Sequence, residues 1–289
     1  MSPVDAANPR KMTVWDAITC QRGHDYHATA RVTIDLATRH LFHDCPPVPA
    51  HLAKSWEMAI FDPDRYPVDD GPYCPAHDAV SHTIRDTGIW EPCETIMALL
   101  VCDGHPAETM VDFGAQIGWF TFLACASGLH AVAVDADVVN LGVLRATAKH
   151  NGWTQPRINR PPLLETRRMR VSPESLPWDP MPIRLAKLDL EGAEHDAVRV
   201  LWPSVEAGLL EHAMIEVTPA FRDDYPDLIA SLVNVGYEVY ALPDKALPPL
   251  PLDGPDDLVR LDKDPAGLRV WIEGCGQANL WLKHSSASF

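Results

Sequence analysis

The chain is short of positive charge. Its 289 residues carry 24 lysines and arginines against 40 aspartates and glutamates, a formal charge of −16. A polyanion would be repelled unless one face concentrated the few cations. The one basic run, Arg167, Arg168 and Arg170, is too short for that and reads as a solvated strand edge or loop. Nucleic acid is therefore not an expected partner. Long apolar runs are also lacking. The most apolar stretch, residues 121–134, is interrupted by Ser127, Gly128 and His130 and is too short to cross a bilayer. Residues 1–13 are polar and lack the apolar segment of a secretory signal. A disulfide framework is missing as well: Cys20, Cys45, Cys74, Cys93, Cys102, Cys125 and Cys275 are odd in number and irregularly spaced, as suits thiols in a reducing compartment. A soluble, cytoplasmic protein without a membrane partner is expected.

What the sequence does have is 46% hydrophobic residues, enough for a sizeable core. Residues 1–86 form an N-terminal extension that holds most of the histidines and shows little periodicity. Val32, Ile34 and Leu36 stand at period two before a Thr-Arg turn, which predicts a β-hairpin within residues 30–42. Residues 63–77 read as loop. Cys20, His24, His27, His40, His43, Cys45, Cys74 and His77 are zinc-ligand types, but their spacings lack the close knuckles of a structural zinc site. The extension is read instead as a cover that shapes the acceptor pocket of the domain that follows.

Residues 87–289 alternate regularly. Helices are expected at residues 94–101, 119–127, 138–150, 193–201 and 225–235, and strands at 109–113, 131–135, 183–190, 213–217 and 237–241. Two last strands are expected at residues 268–272 and 279–282, one of them antiparallel to the rest. Repeated βα units point to a mostly parallel, doubly wound sheet with helices on both faces.

In such a sheet the ligand lies where the strands end. After the first strand, residues 111–118 read VDFGAQIG, with Gly114 and Gly118 four apart. A dinucleotide turn places glycines at the first, third and sixth positions so that a pyrophosphate can approach the backbone. Here those positions hold Gly114, Gln116 and Trp119, which argues against NAD or FAD. S-adenosylmethionine carries no phosphate; its methionine end has an ammonium and its sulfur is cationic, so a carboxylate beside the turn is favourable. Asp112 supplies one. About twenty residues on, the second strand ends in Val134-Asp135-Ala136-Asp137. A carboxylate there can accept both hydroxyls of an adenosine ribose, which nominates Asp135, while Asp137 fits a helix cap. The fourth-strand region reads KLDLEGAEH from Lys187 to His195. Asp189 stands at an apolar strand end where an unpaired carboxylate would be costly. Either it serves a site, or Asp189 or Glu191 caps the next helix. Lys187 can pair with a carboxylate.

Taken together, WEPCET at 90–95, VDFGAQIGWFTF, VDAD, KLDLEGAE and MIEV at 214–217 resemble the FkbM family of class I methyltransferases over roughly residues 88–216. The resemblance implies a class I methyltransferase (Rossmann-like) fold, S-adenosylmethionine as cofactor, and O-methylation of a hydroxyl on a sugar or natural product. It implies cofactor contacts at Asp112, Gly114, Ala115, Gly118 and Asp135, with Ala136 beside them, and an active-site role for Asp189 and Glu191. The segment before KLDLEG departs from the family pattern: it reads Glu174-Ser175-Leu176, so the adenine contact is left unassigned. Methyl transfer to a hydroxyl needs in-line positioning and a base. Asp189, Glu191 or His195 can serve, His195 standing one helical turn beyond Glu191, unless His195 is a surface side chain. Asp189 and Glu216, at the ends of consecutive strands, resemble the placement that metal-dependent catechol-type methyltransferases use to hold magnesium, an ion that oxygen ligands suit, although strand-end acids more often contact the acceptor or cap helices. The rival reading is a catalytically silent cofactor-binding or interaction module of the same fold.

Overall fold

The computed structural model describes residues 31–35, 52–61, 78–153, 164–172, 174–243 and 258–287. Strands β1 (Arg31–Asp35) and β2 (Ser55–Ala59) form an antiparallel pair, with Ile34 opposite Trp56. The strand expected near Val32 is therefore present, but its partner lies some twenty residues on rather than in an immediate hairpin return. The cysteines and histidines weighed as zinc ligands, and the loop 63–77, lie outside the described residues.

Helix α1 (Ala79–Thr87) was not expected from the sequence. Asp78 caps it by accepting from the Ser81 N–H at 2.8 Å. Then follow α2 (Pro92–Cys102), β3 (Thr109–Phe113), α3 (Trp119–Ala126), β4 (His130–Asp135), α4 (Val138–Asn151), β5 (Leu164–Arg168), β6 (Ile183–Leu188), α5 (Glu194–Glu206), β7 (Leu210–Val217), α6 (Tyr225–Asn234), β8 (Tyr237–Ala241), β9 (Val259–Arg260), α7 (Pro265–Gly274) and β10 (Ala278–His284).

The eight-stranded sheet runs β5-β4-β3-β6-β7-β10-β8-β9. Its first five strands are parallel, and β10 enters antiparallel between β7 and β8. This is the mostly parallel, doubly wound Rossmann-like sheet of the class I methyltransferase type.

The period-two pattern splits the core in two. Met110, Ala131, Ala133, Leu185, Met214 and Trp281 face a cluster built with α2, α3 and α4. Val111, Phe113, Val132, Ala186, Ile215 and Leu282 face a second cluster built with α5, α6 and α7. The β1–β2 pair lies on the first side. There the Ala59 N–H donates to Thr147 Oγ1 at 2.8 Å, the Asn151 side-chain amide both accepts from and donates to the Glu57 backbone, and the Trp56 and Trp119 rings lie 5.3 Å apart.

Three expectations are corrected. Residues 268–272 are not a strand but the middle of α7, which begins at Asp264-Pro265 and buries Leu268 and Ile272, four apart, against the second cluster. Strand β5 was missed because its sequence, LETRR, is polar, as befits an edge strand paired only with β4. Helix α5 runs past Leu201 with Pro203 inside its last turns.

Candidate functional site

Period two also assembles the site. Residues 112, 187, 214 and 281 share the first face, and in register Asp112 lies opposite Lys187, Lys187 opposite Met214, and Glu216 opposite Asn279. At the C-terminal edge of the parallel strands this face turns from apolar to charged, and it meets the N-terminus of α2. Glu91 is the N-cap residue there, in a left-handed conformation at φ 41°, with Pro92 at the first helical position and Glu94 in the first turn. Acids at a helix N-terminus meet the favourable end of the helix dipole.

Lys187, 2% exposed, has its Nζ 3.0 Å from Asp189 Oδ2 and 3.4 Å from Glu91 Oε2, and 5.1 Å from the centre of the Phe120 ring. Burial alone would lower its pKa, yet the carboxylates around it push the ammonium well above its ordinary value. Asp189, Glu91, Glu94, Asp112 and Glu216 surround this one ammonium. The carboxyls are correspondingly under-neutralised. Burial and the charge of Glu91 push Glu94 up to about 7. Burial and the charge of Asp189 push Glu216 up to about 7. Burial pushes Asp112 up to about 6 despite two bonds from Thr121.

The glycine turn lies beside this cluster. Gly114 adopts φ 79°, and a Cβ on it would stand 1.8 Å from the Asp189 carbonyl oxygen. The glycine is required first by the neighbouring strand end, not by a ligand. Gly118, at φ 97°, is the N-cap of α3, and a Cβ there would meet Phe122 at 2.6 Å and Leu144 at 3.0 Å. Asp112 acts locally, since the Thr121 N–H and hydroxyl donate to its Oδ2 at 2.9 and 2.6 Å and close the first turn of α3. Ala115 is buried, and its N–H donates to the Val134 carbonyl at 3.1 Å.

The turn and the second strand are tied together. The Gln116 N–H donates to Asp135 Oδ2 at 2.8 Å, with Gln116 itself at φ 47°. Asp135 Oδ1 accepts from the Asp137 N–H at 2.7 Å, and burial raises the carboxyl's pKa. Asp137 caps α4 through the Val139 N–H, as expected. Ala136 is exposed beside Asp135.

After β6 the chain turns through Glu191 (φ 52°) and Gly192 (φ 103°). Neither Asp189 nor Glu191 caps α5. Glu194, a residue that sequence reasoning passed over, secures the turn instead. Its buried carboxylate accepts from the Leu190 N–H at 2.7 Å, the Gly192 N–H at 3.1 Å and the Tyr225 hydroxyl at 2.5 Å. Glu191 is exposed and precedes the helix, so the one-turn relation expected between Glu191 and His195 does not hold. His195 turns to α6, with Nε2 3.0 Å from the Asp224 carbonyl and 3.2 Å from its carboxylate. Glu91 and Glu94, quoted in the WEPCET motif without a role, belong to the carboxylate cluster around Lys187. Their signal was a pair of acids three apart around a helix-starting proline.

Of the basic run, Arg167 pairs with Glu165 at 2.7 Å and lies 4.2 Å over the Trp178 ring. Among the described residues no helix is long and apolar enough to cross a membrane.

No family model matches the chain, and no curated protein matches it. Solved structures do. A magnesium protoporphyrin IX methyltransferase from Synechocystis with bound S-adenosylmethionine is 13% identical with a TM-score of 0.42, over 72% of this chain and 85% of that one. A TehB-like S-adenosylmethionine-dependent methyltransferase from Corynebacterium glutamicum is 13% identical with a TM-score of 0.43, over 73% of this chain and 100% of that one. An rRNA methylase from Streptococcus thermophilus is 13% identical with a TM-score of 0.40, over 66% of this chain and 93% of that one. The fold described above stands on strand order and register rather than on these distant likenesses.

Proposed function

We propose that the chain is an S-adenosylmethionine-dependent methyltransferase that transfers the methyl group to a hydroxyl of a small molecule, a sugar or another natural product, in the manner of the FkbM-like enzymes its motifs resemble. The observation that carries the reading is the bond from the Gln116 N–H to Asp135 Oδ2. It draws the glycine turn and the strand-end carboxylate, separate motifs in sequence, into one binding edge beside a cluster of carboxylates. The donor set fits the cofactor's chemistry. Asp135 Oδ2, which accepts from the Gln116 N–H, has lone-pair capacity for a ribose hydroxyl, while Oδ1 accepts from the Asp137 N–H and, at 3.5 Å, from the Asn140 side-chain amide. The excess of carboxylate over ammonium at Asp112, Asp189, Glu91 and Glu94 suits the ammonium and the sulfonium of the cofactor.

When bound, the cofactor supplies an electrophilic methyl group. The chain's own work is to orient and to move a proton. Gly114, Ala115 and Gly118 set the turn against which the cofactor would lie, with Ala136 open beside it. Lys187 fixes Asp189, and Glu194 fixes the turn that carries Glu191. In this reading Asp189 or Glu191 takes the proton of the acceptor hydroxyl. His195, bonded to Asp224 at the start of α6, is the third candidate for that role.

Calorimetric titration with S-adenosylhomocysteine and with NAD tests the reading: saturable binding of the first and none of the second is expected, and failure to bind S-adenosylhomocysteine sinks it. Asp135→Ala is expected to weaken that binding about tenfold or more, the loss of a buried charged acceptor. Turnover is then sought as cofactor consumption with panels of sugars and polyketide-like alcohols. Binding without turnover on any of them would favour the silent module.

A further inference from the structure

Gln116 holds two carboxylates at once. Its backbone N–H donates to Asp135 Oδ2 at 2.8 Å, and its side-chain Nε2 donates to Asp78 Oδ1 at 2.5 Å, 38 positions back in the sequence. Asp78 is divided in the same way: Oδ1 takes the Gln116 amide, while Oδ2 takes the Ser81 N–H and caps α1. Ser81 is fully buried, and its Oγ accepts from the Phe61 N–H at 3.0 Å, just past the end of β2. An unbroken run of hydrogen bonds therefore leads from the carboxylate assigned to the ribose, through the glycine turn and the start of α1, to the β1–β2 pair.

The run closes on itself. Strand β2 is held to α4 by the Ala59 N–H on Thr147 Oγ1, and Asp137, the cap of α4, donates its N–H to Asp135 Oδ1 at 2.7 Å. Both oxygens of Asp135 are thus aimed by arms that lead back to the same N-terminal strands, one through α1 and one through α4. Gln116 sits at φ 47°, a conformation that glycine adopts freely and a straight-chain residue does not. A residue held there needs its surroundings to fix it. What glycine would lack at this position is the side chain that reaches Asp78.

From this geometry we infer that Asp78 and Gln116 are positioning residues for the cofactor edge: by aiming Asp135 they make the chain's affinity for the cofactor depend on the docking of α1. The cofactor in question rests on the methyltransferase reading above. Coupling of this kind is reciprocal. If docked α1 favours the bound cofactor, the bound cofactor must in turn hold α1 in place.

The test is made on the full chain by calorimetric titration with S-adenosylhomocysteine. Gln116→Met keeps the length of the side chain and removes its amide, while Asp78→Ser keeps a helix cap but cannot reach Gln116. Each is expected to weaken binding about fivefold or more, and the double variant no further than the weaker-binding single one, since both break the same link. Asp86→Asn, on the exposed side of α1, should leave the affinity unchanged. Reciprocity supplies a readout that a merely structural role would not move: the ligand should slow hydrogen exchange at the Ser81 and His82 amides of the unaltered chain and should not do so in Gln116→Met. A smaller loss in either single variant overturns the inference. So do losses that add in the double variant, a loss of the same size in Asp86→Asn, or exchange at Ser81 in the unaltered chain that the ligand does not change. In all these failures the unaltered chain still binds S-adenosylhomocysteine and the methyltransferase reading stands; an unaltered chain that does not bind it sinks that reading and this inference together.

Discussion

Replacing Gly114 by alanine should be among the most damaging single-methyl changes available to this protein, and Gly104 offers an internal control for the reason. The two glycines share nearly the same backbone, φ 79° and φ 76°, but a Cβ on Gly114 would stand 1.8 Å from the Asp189 carbonyl oxygen while one on Gly104 would have nothing within 4 Å. The left-handed conformation costs an alanine about 1–2 kcal/mol at either position. At Gly114 the ends of β3 and β6 must in addition part by about 1.5 Å to restore ordinary contact. That movement breaks the bond from the Asp189 N–H to the Phe113 carbonyl, now 3.1 Å, and carries Asp189 away from Lys187. A buried donor left unpaired costs about 1–3 kcal/mol, so Gly114→Ala should lose about 4 kcal/mol and Gly104→Ala about 1 kcal/mol. Urea denaturation of both variants measures the difference. Losses equal to within about 0.5 kcal/mol would refute the steric argument and leave only the backbone term.

Other outcomes follow from single contacts. Lys187→Met should cost about 3–5 kcal/mol in denaturant unfolding, because Asp189 and Glu91 are left without their buried partner; a loss under about 1 kcal/mol would show that the ammonium is not their counter-ion. Glu194→Ala should cost about 3 kcal/mol and Tyr225→Phe about 1 kcal/mol, with hydrogen exchange at the Leu190 and Gly192 amides accelerated in the first; unchanged exchange there would remove Glu194 from its clamping role. Asp112 is pushed up to about 6 in the fold from an ordinary 3.8, so its ionisation works against folding: this contribution falls away as pH rises from about 4 to about 6 and is flat above, by no more than about 3 kcal/mol. Stability profiles of the unaltered chain and Asp112→Asn should converge at low pH and part over that window; parallel profiles would contradict the assignment. Thr147→Val should leave the Ala59 N–H buried without an acceptor, at about 1–3 kcal/mol, and hydrogen exchange at Ala59 reports whether the β1–β2 pair loosens from α4.

The central sheet was legible because its strands are buried on both faces or alternate cleanly between two cores, and because glycines punctuate the helix ends at Gly128, Gly152 and Gly236. Strand β5 escaped because an edge strand can be polar. Helix α7 was misread because Leu268, Val270 and Ile272 alternate as a strand would, whereas the contacts that matter are Leu268 and Ile272 four apart, with Val270 exposed. In the site, the glycine turn, Asp135 and Asp189 could be read from spacing along one strand and its turn. The carboxylates of Glu91 and Glu94 could not be joined to them that way, since α2 reaches the sheet edge only through tertiary packing and Asn279 meets Glu94 across 185 positions of sequence. The one-turn relation of His195 to Glu191 was misjudged because Glu191 lies outside the helix.

The place of β10 sets an order of events during synthesis. Strand β8 has no hydrogen-bonded neighbour on the β7 side until β10 arrives between them, and domains consolidate as the chain emerges from the ribosome. A nascent chain that has reached Ala241 can dock its parallel strands and the helices on both sides, yet must hold β7 with an open flank and β8 and α6 in waiting. Asn279 travels on that late strand, so the wall of the acid cluster is laid last: until residues 278–284 thread home, the growing protein possesses its glycine turn but not its finished site.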